Sequence, residues 1–201
     1  MQRHIIEFFS GSKTVSNFFI SKGWQATTVD INPKLNPSIC CDILDLPFDL
    51  LPAKPDFLWF SPDCSKFSRM ASPHNWKKTT LKYRIFHYEP LTPGARNSVT
   101  YLNKSIQIIQ HFNKCPFIIE NPIGRIHHFS AIKNLGHYRY AINYADFGFP
   151  YSKETYLFTN IMLPFSTKKV HSKKPGLQSV KNKSQRPQVP LQLIQTIFNY
   201  L

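Results

Sequence analysis

The stretch Phe57-Leu-Trp-Phe-Ser-Pro-Asp-Cys-Ser-Lys-Phe-Ser68 constrains this chain most. An unbroken apolar run stops at Ser61-Pro62, and a cysteine follows among polar and basic residues. A short apolar run bounded by a turn reads as a buried strand. A strand that ends in a polar turn carrying a thiol is where an α/β enzyme presents a nucleophile. Taken alone, Cys64 reads as readily as a small buried hydrophobe, so the rest of the chain has to decide.

The segments before it form a pattern. Residues 4–9 are an apolar run interrupted by Glu7, and Ser10-Gly11-Ser12 is a turn. Val15, Phe18 and Phe19, closed by Lys22-Gly23, read as a short amphipathic helix with a C-terminal glycine. Residues 26–30 are a β-branched strand ending in Asp30. Strand, glycine turn, helix, strand and acid make the first βαβ unit of a nucleotide-binding sheet. Gly11 lets backbone approach a ligand. Asp30 lies about 20 residues on, where such folds put a carboxylate on ribose hydroxyls. The full G-x-G-x-x-G is absent, which favours an adenosine-type ligand without a pyrophosphate, S-adenosylmethionine being the common one. A structural turn with a surface Asp explains the same residues.

Residues 38–45 read as a third short strand ending at Asp42, an acid that either meets an adenine amino group or caps the next turn. Residues 46–54 are a proline-bounded helical turn. The segment 69–96 interleaves basic and aromatic residues without a clean period, which suits backbone contact and base stacking. Val99, Leu102, Ile106, Ile108 and Ile109 place a helix over 98–112. Residues 115–120 form a fifth strand ending in Glu120, followed by a turn at Asn121-Pro122. Cys64 and Glu120 then both sit just past strand ends, at the edge where parallel sheets build their sites. Residues 138–144 and 151–158 are an antiparallel pair at the sheet edge, and a proline-started helix closes the chain.

Charge and cysteine content narrow the setting. The formal net charge is +14, which points to a polyanionic partner, most often nucleic acid. No Asp or Glu follows Glu154, whereas Lys168, Lys169, Lys173, Lys174, Lys181, Lys183 and Arg186 do. Adjacent Cys40 and Cys41, with Cys64 and Cys115, make neither a disulfide framework nor a zinc pattern, so free thiols in a reducing compartment and no metal are expected. No apolar run approaches the roughly 20 residues of a membrane span, and the first residues lack a signal-peptide pattern; no membrane partner is expected.

In order along the chain, these pieces resemble the cytosine-C5 DNA methyltransferases. Phe9-Ser10-Gly11 looks like the family's F-x-G, and residues 61–68 look like its P-C-Q-x-F-S loop. Glu120-Asn121-Pro122 resembles E-N-V, residues 144–153 are similar to the Y-G-x-P-Q-x-R segment, and Arg186-Pro-Gln-Val-Pro190 resembles R-x-x-V-P. The resemblance implies an α/β, Rossmann-like class I S-adenosylmethionine-dependent methyltransferase. Its mostly parallel sheet would have an antiparallel edge pair and helices on both faces. It divides the chain into a catalytic core over 1–160, a basic loop over 161–187 in place of a target-recognition domain, and a final helix over 188–201. It implies cofactor contacts at Phe9, Gly11, Asp30, Ile31, Asp42, Ile43 and Pro62, and chemistry at Cys64, Glu120, Asn121 and Lys153. It implies DNA contacts at Ser68, Arg69, Lys77, Lys78, Lys82, Arg84, Lys168 and Lys169, with RNA an open alternative. A small form of the family suggests a phage or mobile-element, restriction-modification setting, in the cytoplasm of a bacterial or phage-infected cell.

The chain departs from the family pattern at several places. Asp63 stands where the family has proline, and Ser65 where it has glutamine. A carboxylate beside the thiol disfavours the thiolate unless Lys66, Arg69 or a helix end offsets it. Lys153 and Thr155 replace the two arginines, and Pro122 replaces valine. With little room for a target-recognition domain, specificity must be slight or come from the 69–96 segment, the basic tail or a partner chain. Two alternatives remain: an amino-methyltransferase acting on N4 of cytosine or N6 of adenine, and an inactive basic nucleic-acid-binding module on the same fold.

Overall fold

The computed structural model describes residues 2–68, 71, 73–80, 86–133, 135, 138–167, 176 and 188–201. Its elements are β1 (His4–Phe8), α1 (Thr14–Ser21), β2 (Gln25–Asp30), β3 (Ile39–Cys40), β4 (Phe57–Phe60), β5 (Trp76–Thr80), β6 (Phe86–Pro90), α2 (Pro93–His111), β7 (Phe117–Pro122), α3 (Ser130–Lys133), β8 (Tyr138–Asn143), β9 (Glu154–Thr159) and α4 (Leu191–Phe198). Seven strands form one sheet in the order β3-β2-β1-β4-β7-β9-β8. Pairing is parallel from β3 through β7, and β9 runs antiparallel to both neighbours. The expected fold is therefore present, with the antiparallel direction carried by β9 alone, inserted between β7 and β8.

The central strands read as continuous apolar runs because both faces are covered. On one face Ile6, Phe8, Leu58, Phe60, Phe117 and Ile119 pack under α2. On the other, Ile5, Phe57, Trp59 and Ile118 pack with α1 and α4. The strand period of two leaves a regular trace at the carboxyl ends. After Ile5 comes Glu7, after Trp59 comes Ser61, and after Ile118 comes Glu120. All three polar residues follow that face into one cavity.

Four local expectations are corrected. The third strand pairs only at Ile39–Cys40, because Asp42 Oδ1 accepts a hydrogen bond from Leu44 N–H and turns the chain. The segment after Cys64 is not periodless: β5 and β6 form a two-stranded antiparallel ribbon. Lys77, Lys78, Thr79 and Thr80 are all exposed, so no core face imprints an alternation on β5. α2 begins at Pro93, earlier than expected, with the Thr92 hydroxyl accepting from Ala95 N–H and proline in the first turn. The strand that carries Glu120 runs on through Asn121 and Pro122, which pair with Tyr156 and Thr155 instead of forming a turn.

α4 closes the sheet face over α1 with Leu193, Ile194 and Ile197 buried. Leu193 is 0 % exposed. Leu193→Ala is expected to cost about 3 kcal/mol in transfer and cavity terms, read as a lower urea midpoint with unchanged slope.

Candidate active site

The site is built where β1, β4, β7 and β9 meet. At the end of β1 the chain turns through Phe9 and Gly11, with φ of 55° and 46°. Asp30, at the end of β2, holds this turn: Oδ2 accepts from Gly11 N–H at 2.9 Å and Oδ1 from Asn32 N–H at 2.9 Å. Beside it lies a cavity of about 160 Å³ walled by Phe9, Asp30, Ile31, Asp42, Ile43, Asp63 and Tyr101. Ile31 is 61 % exposed at its lip. Asp42 has a second partner, the Tyr101 hydroxyl at 3.0 Å, so its carboxylate serves both the turn and this wall.

A second cavity of about 170 Å³ adjoins it and shares Phe9 and Asp63. Glu7, Ser10, Gly11, Ser61, Pro62, Cys64, Glu120 and Lys153 line it. Glu7 is buried, and its Oε2 accepts from the backbone N–H and hydroxyl of Ser16 in the first turn of α1. Burial lifts its carboxyl to about 7 against the pull of those hydrogen bonds. Ser10 Oγ is buried without a hydrogen-bond partner among the described residues.

The loop carrying Cys64 is held from below. Asn121, fully buried, donates from Nδ2 to Pro62 O at 3.2 Å. Phe67 O accepts from Arg125 N–H at 2.7 Å, and Ser68 bridges Gly124. A Cβ on Gly124 would fall 2.1 Å from Phe67 O, so no other residue fits this crossing. Trp76 at the root of the ribbon stacks on Phe67 and donates to Lys66 O at 2.8 Å.

Glu120 is 6 % and Lys153 9 % exposed, and the two form an ion pair at 3.1 Å. The buried Tyr144 hydroxyl donates to the same oxygen, Glu120 Oε1, at 2.9 Å. Burial raises the Cys64 thiol to about 11, with Glu120 adding to the rise, Lys153 opposing it and Asp63 adding less. The Asp63 carboxylate turns away to Ser65, accepting its N–H at 3.0 Å and its hydroxyl at 2.7 Å. The cation that offsets the carboxylates is thus Lys153. Lys66 instead lies along Gly94 in the first turn of α2, and Arg69 is outside the described residues.

All the expected chemical and cofactor positions meet around these two cavities, except that Asn121 acts from behind the loop. Of the expected nucleic-acid contacts, Lys77 and Lys78 are exposed on β5 and Ser68 is tied to Gly124. Arg69, Lys82, Arg84, Lys168 and Lys169 fall outside the described residues, as does most of the basic segment 161–187. Among the described residues no His, Cys, Asp and Glu side chains cluster for a metal ion, and no helix is long and apolar enough to cross a membrane. Sequence reasoning missed Glu7, Tyr101 and Tyr144. Glu7 had a signal, a lone acid at the last inward position of an apolar strand.

No family model matches the chain. It is 29% identical over 163 residues, 78% of this chain and 70% of the relative, to a probable DNA (cytosine-5)-methyltransferase of Frog virus 3 (isolate Goorha). That relative carries the name of the family whose motifs this chain resembles. Its fold is similar to that of a putative DNA modification methyltransferase encoded within an E. coli prophage (TM-score 0.54, 15% identity, 79% of this chain and 46% of that one). It is also similar to Spodoptera frugiperda DNMT2 (0.52, 18%, 87% and 56%) and to the Entamoeba histolytica methyltransferase EhMeth (0.51, 14%, 87% and 58%). The chain therefore spans about half the length of these solved methyltransferases.

Alkylation of Cys64 by iodoacetamide, followed by peptide mass, should rise about tenfold per pH unit from pH 7 towards 10. Lys153→Met should slow it at every pH in that range, because the thiol loses the charge that lowers it; an unchanged rate would place the two groups out of electrostatic reach. Gly124→Ala should cost about 2 kcal/mol or more from overpacking against the Phe67 carbonyl, measured by denaturant unfolding.

Proposed function

We propose that the chain transfers a methyl group from S-adenosylmethionine to C5 of cytosine in DNA, through a covalent bond between Cys64 and the base. The observation that carries this reading is the meeting of Cys64, Glu120 and Lys153 in one cavity wall, next to a second cavity walled by Asp30, Asp42 and an exposed isoleucine. The described residues fit the cofactor. Ile31 and Phe9 offer apolar surface for an adenine ring, Asp30 offers remaining lone pairs to a ribose, and buried Ser10 Oγ lacks a partner. When bound, S-adenosylmethionine supplies an electrophilic methyl group.

The side chains would work on the base as follows. C5 of cytosine is a poor nucleophile until C6 carries a nucleophile. The Cys64 thiolate forms an Sγ–C6 bond while Glu120 gives a proton to N3, so the electron pair displaced from the ring collects at C5 as an enamine. A neutral Glu120 no longer raises the thiol, whereas Lys153 still stabilises its ionised form, so the two proton positions are coupled. After C5 is methylated, water takes the C5 proton, the electron pair of that C–H bond forms C5=C6 as the Sγ–C6 bond breaks to give back the thiolate, and N3 returns its proton to Glu120. Lys153, reaching into the same cavity, is placed to meet O2 of the base as well as Glu120. The target base has to leave the duplex stack to reach this wall. Lys77 and Lys78, on the ribbon rooted at the Cys64 loop, are the described candidates for holding the DNA backbone.

DNA containing 5-fluorocytosine, incubated with the chain and S-adenosylmethionine, should yield a complex that survives denaturing electrophoresis. Cys64→Ala should lose at least about a hundredfold of both this adduct and 5-methylcytosine formation. Equal product from Cys64→Ala would falsify the covalent route. Methyl label recovered as N4-methylcytosine or N6-methyladenine would replace it with amino-group chemistry.

A further inference from the structure

Tyr144 stands out among the buried polar groups that the mechanism above does not use. It follows β8 as the first residue of a short 3-10 turn, Tyr144–Phe147, and is 0 % exposed. Its hydroxyl donates to Glu120 Oε1 at 2.9 Å. The Lys153 ammonium stands 4.4 Å from its ring centroid while bonding the same oxygen at 3.1 Å. The Thr155 hydroxyl, which donates to Lys153 O at 3.4 Å, adjoins the phenol and opposes the rise in its pKa. Thus the two positions where this chain replaces the family's arginines, 153 and 155, both meet Tyr144.

The chemistry of that arrangement is specific. An arginine fork offers a carboxylate two parallel N–H donors from one rigid plane, and a lysine offers a single ammonium point. Here Lys153 and Tyr144 together supply the two donors. The ring face of Tyr144 accepts the ammonium as well. Both donors fall on Oε1. An ammonium cannot accept a hydrogen bond, so a proton on Oε1 would face it unfavourably. Glu120 Oε2 takes no hydrogen bond from the described residues, and Glu120 is part of the cavity wall shared with Cys64.

We propose that Tyr144 is a positioning residue that, with Lys153, anchors Glu120 through Oε1, so that Oε2 is the oxygen that carries the proton to and from the base. The inference rests on the methyl-transfer reading above. Tyr144 does not touch the base; it acts through Glu120. Burial and the adjacent Glu120 hold the phenol well above its ordinary titration range, so it remains a donor throughout.

The test is a cycle of Tyr144→Phe and Glu120→Gln in the full chain, assayed with cytosine-containing DNA and S-adenosylmethionine. Tyr144→Phe removes one hydroxyl and should lower kcat about ten- to a hundredfold, the range for a hydrogen bond to a charged group. KM for both substrates should stay within about twofold. In a Glu120→Gln background the same change should cost less than about twofold, since the group it acts through is already altered. Full kcat in Tyr144→Phe overturns the proposal, as does an equal loss in both backgrounds. A second pair keeps the test independent of that variant's folding. Tyr144→Ala with Lys153→Arg puts two donors back on one side chain and should exceed Tyr144→Ala alone in kcat; no gain overturns the proposal. A wild-type chain that transfers no methyl group to C5 sinks the parent reading and this inference together, whereas an active wild type with an indifferent Tyr144 sinks only the inference.

Discussion

The buried pair of Glu120 and Lys153 is the interaction on which the rest of the site depends. Two charges taken out of water are tolerated only when paired and hydrogen-bonded, and here the pairing is a product of topology. β7 carries Glu120 close to its carboxyl end, two residues before Pro122 closes it. A parallel neighbour would begin at the opposite edge, a strand's length away. β9 runs antiparallel, so the residues that open it lie beside those that close β7. Reversing one strand in an otherwise parallel sheet brings a cation from residue 153 to an acid at residue 120. The same reversal lets the β8–β9 connection drop Tyr144 under both.

The loop that carries Cys64 is held by its backbone carbonyls, which accept from Asn121, Trp76 and Arg125. Asn121, itself inside β7, reaches Pro62 O, and Gly124 allows the chain to cross the Phe67 carbonyl at a distance no Cβ permits. Asp63, the residue most at odds with a thiolate, spends its carboxylate on Ser65 and so caps the turn that Cys64 occupies. Its cost to the thiol ranks below those of burial and of Glu120. After burial, the groups that weigh most on the Cys64 thiol are therefore the buried carboxylate of Glu120 and the ammonium of Lys153.

Much of this was legible in the amino-acid order, for physical reasons. Strands covered on both faces are apolar along most of their length, so β1, β4 and β7 announce themselves, and a polar residue near the carboxyl end of each (Glu7, Ser61 and Glu120) marks the edge with the cavity. Gly11 after β1 and Asp30 at the end of β2 stand where the βαβ pattern places them, but their hydrogen bond to one another was not legible in the sequence. What remained hidden depends on contacts across the sheet. The identity of the cation offsetting Cys64 needed the order β7-β9-β8; from sequence, the nearby Lys66 and Arg69 were the natural candidates. Tyr144 gave no signal because a tyrosine at a strand end is ordinary until its partner is known. The β5–β6 ribbon gave none because most of its described residues face solvent, where no hydrophobic period is imposed. The start of α2 was available in Thr92-Pro93, a capping signal masked by the stronger apolar stripe that follows.

The partition between the two cavities is made of side chains that belong to both. Phe9, whose backbone is held in the left-handed region, meets the Tyr101 ring edge-on at 6.0 Å, and Asp63 stands opposite. An occupant on either side therefore sets the posture of a wall that the other occupant must also face. Any coupling passed through that wall would be reciprocal, each occupant altering the other's affinity by the same factor. Two cavities drawn with separate linings are, at Phe9 and Asp63, a single surface seen from two sides.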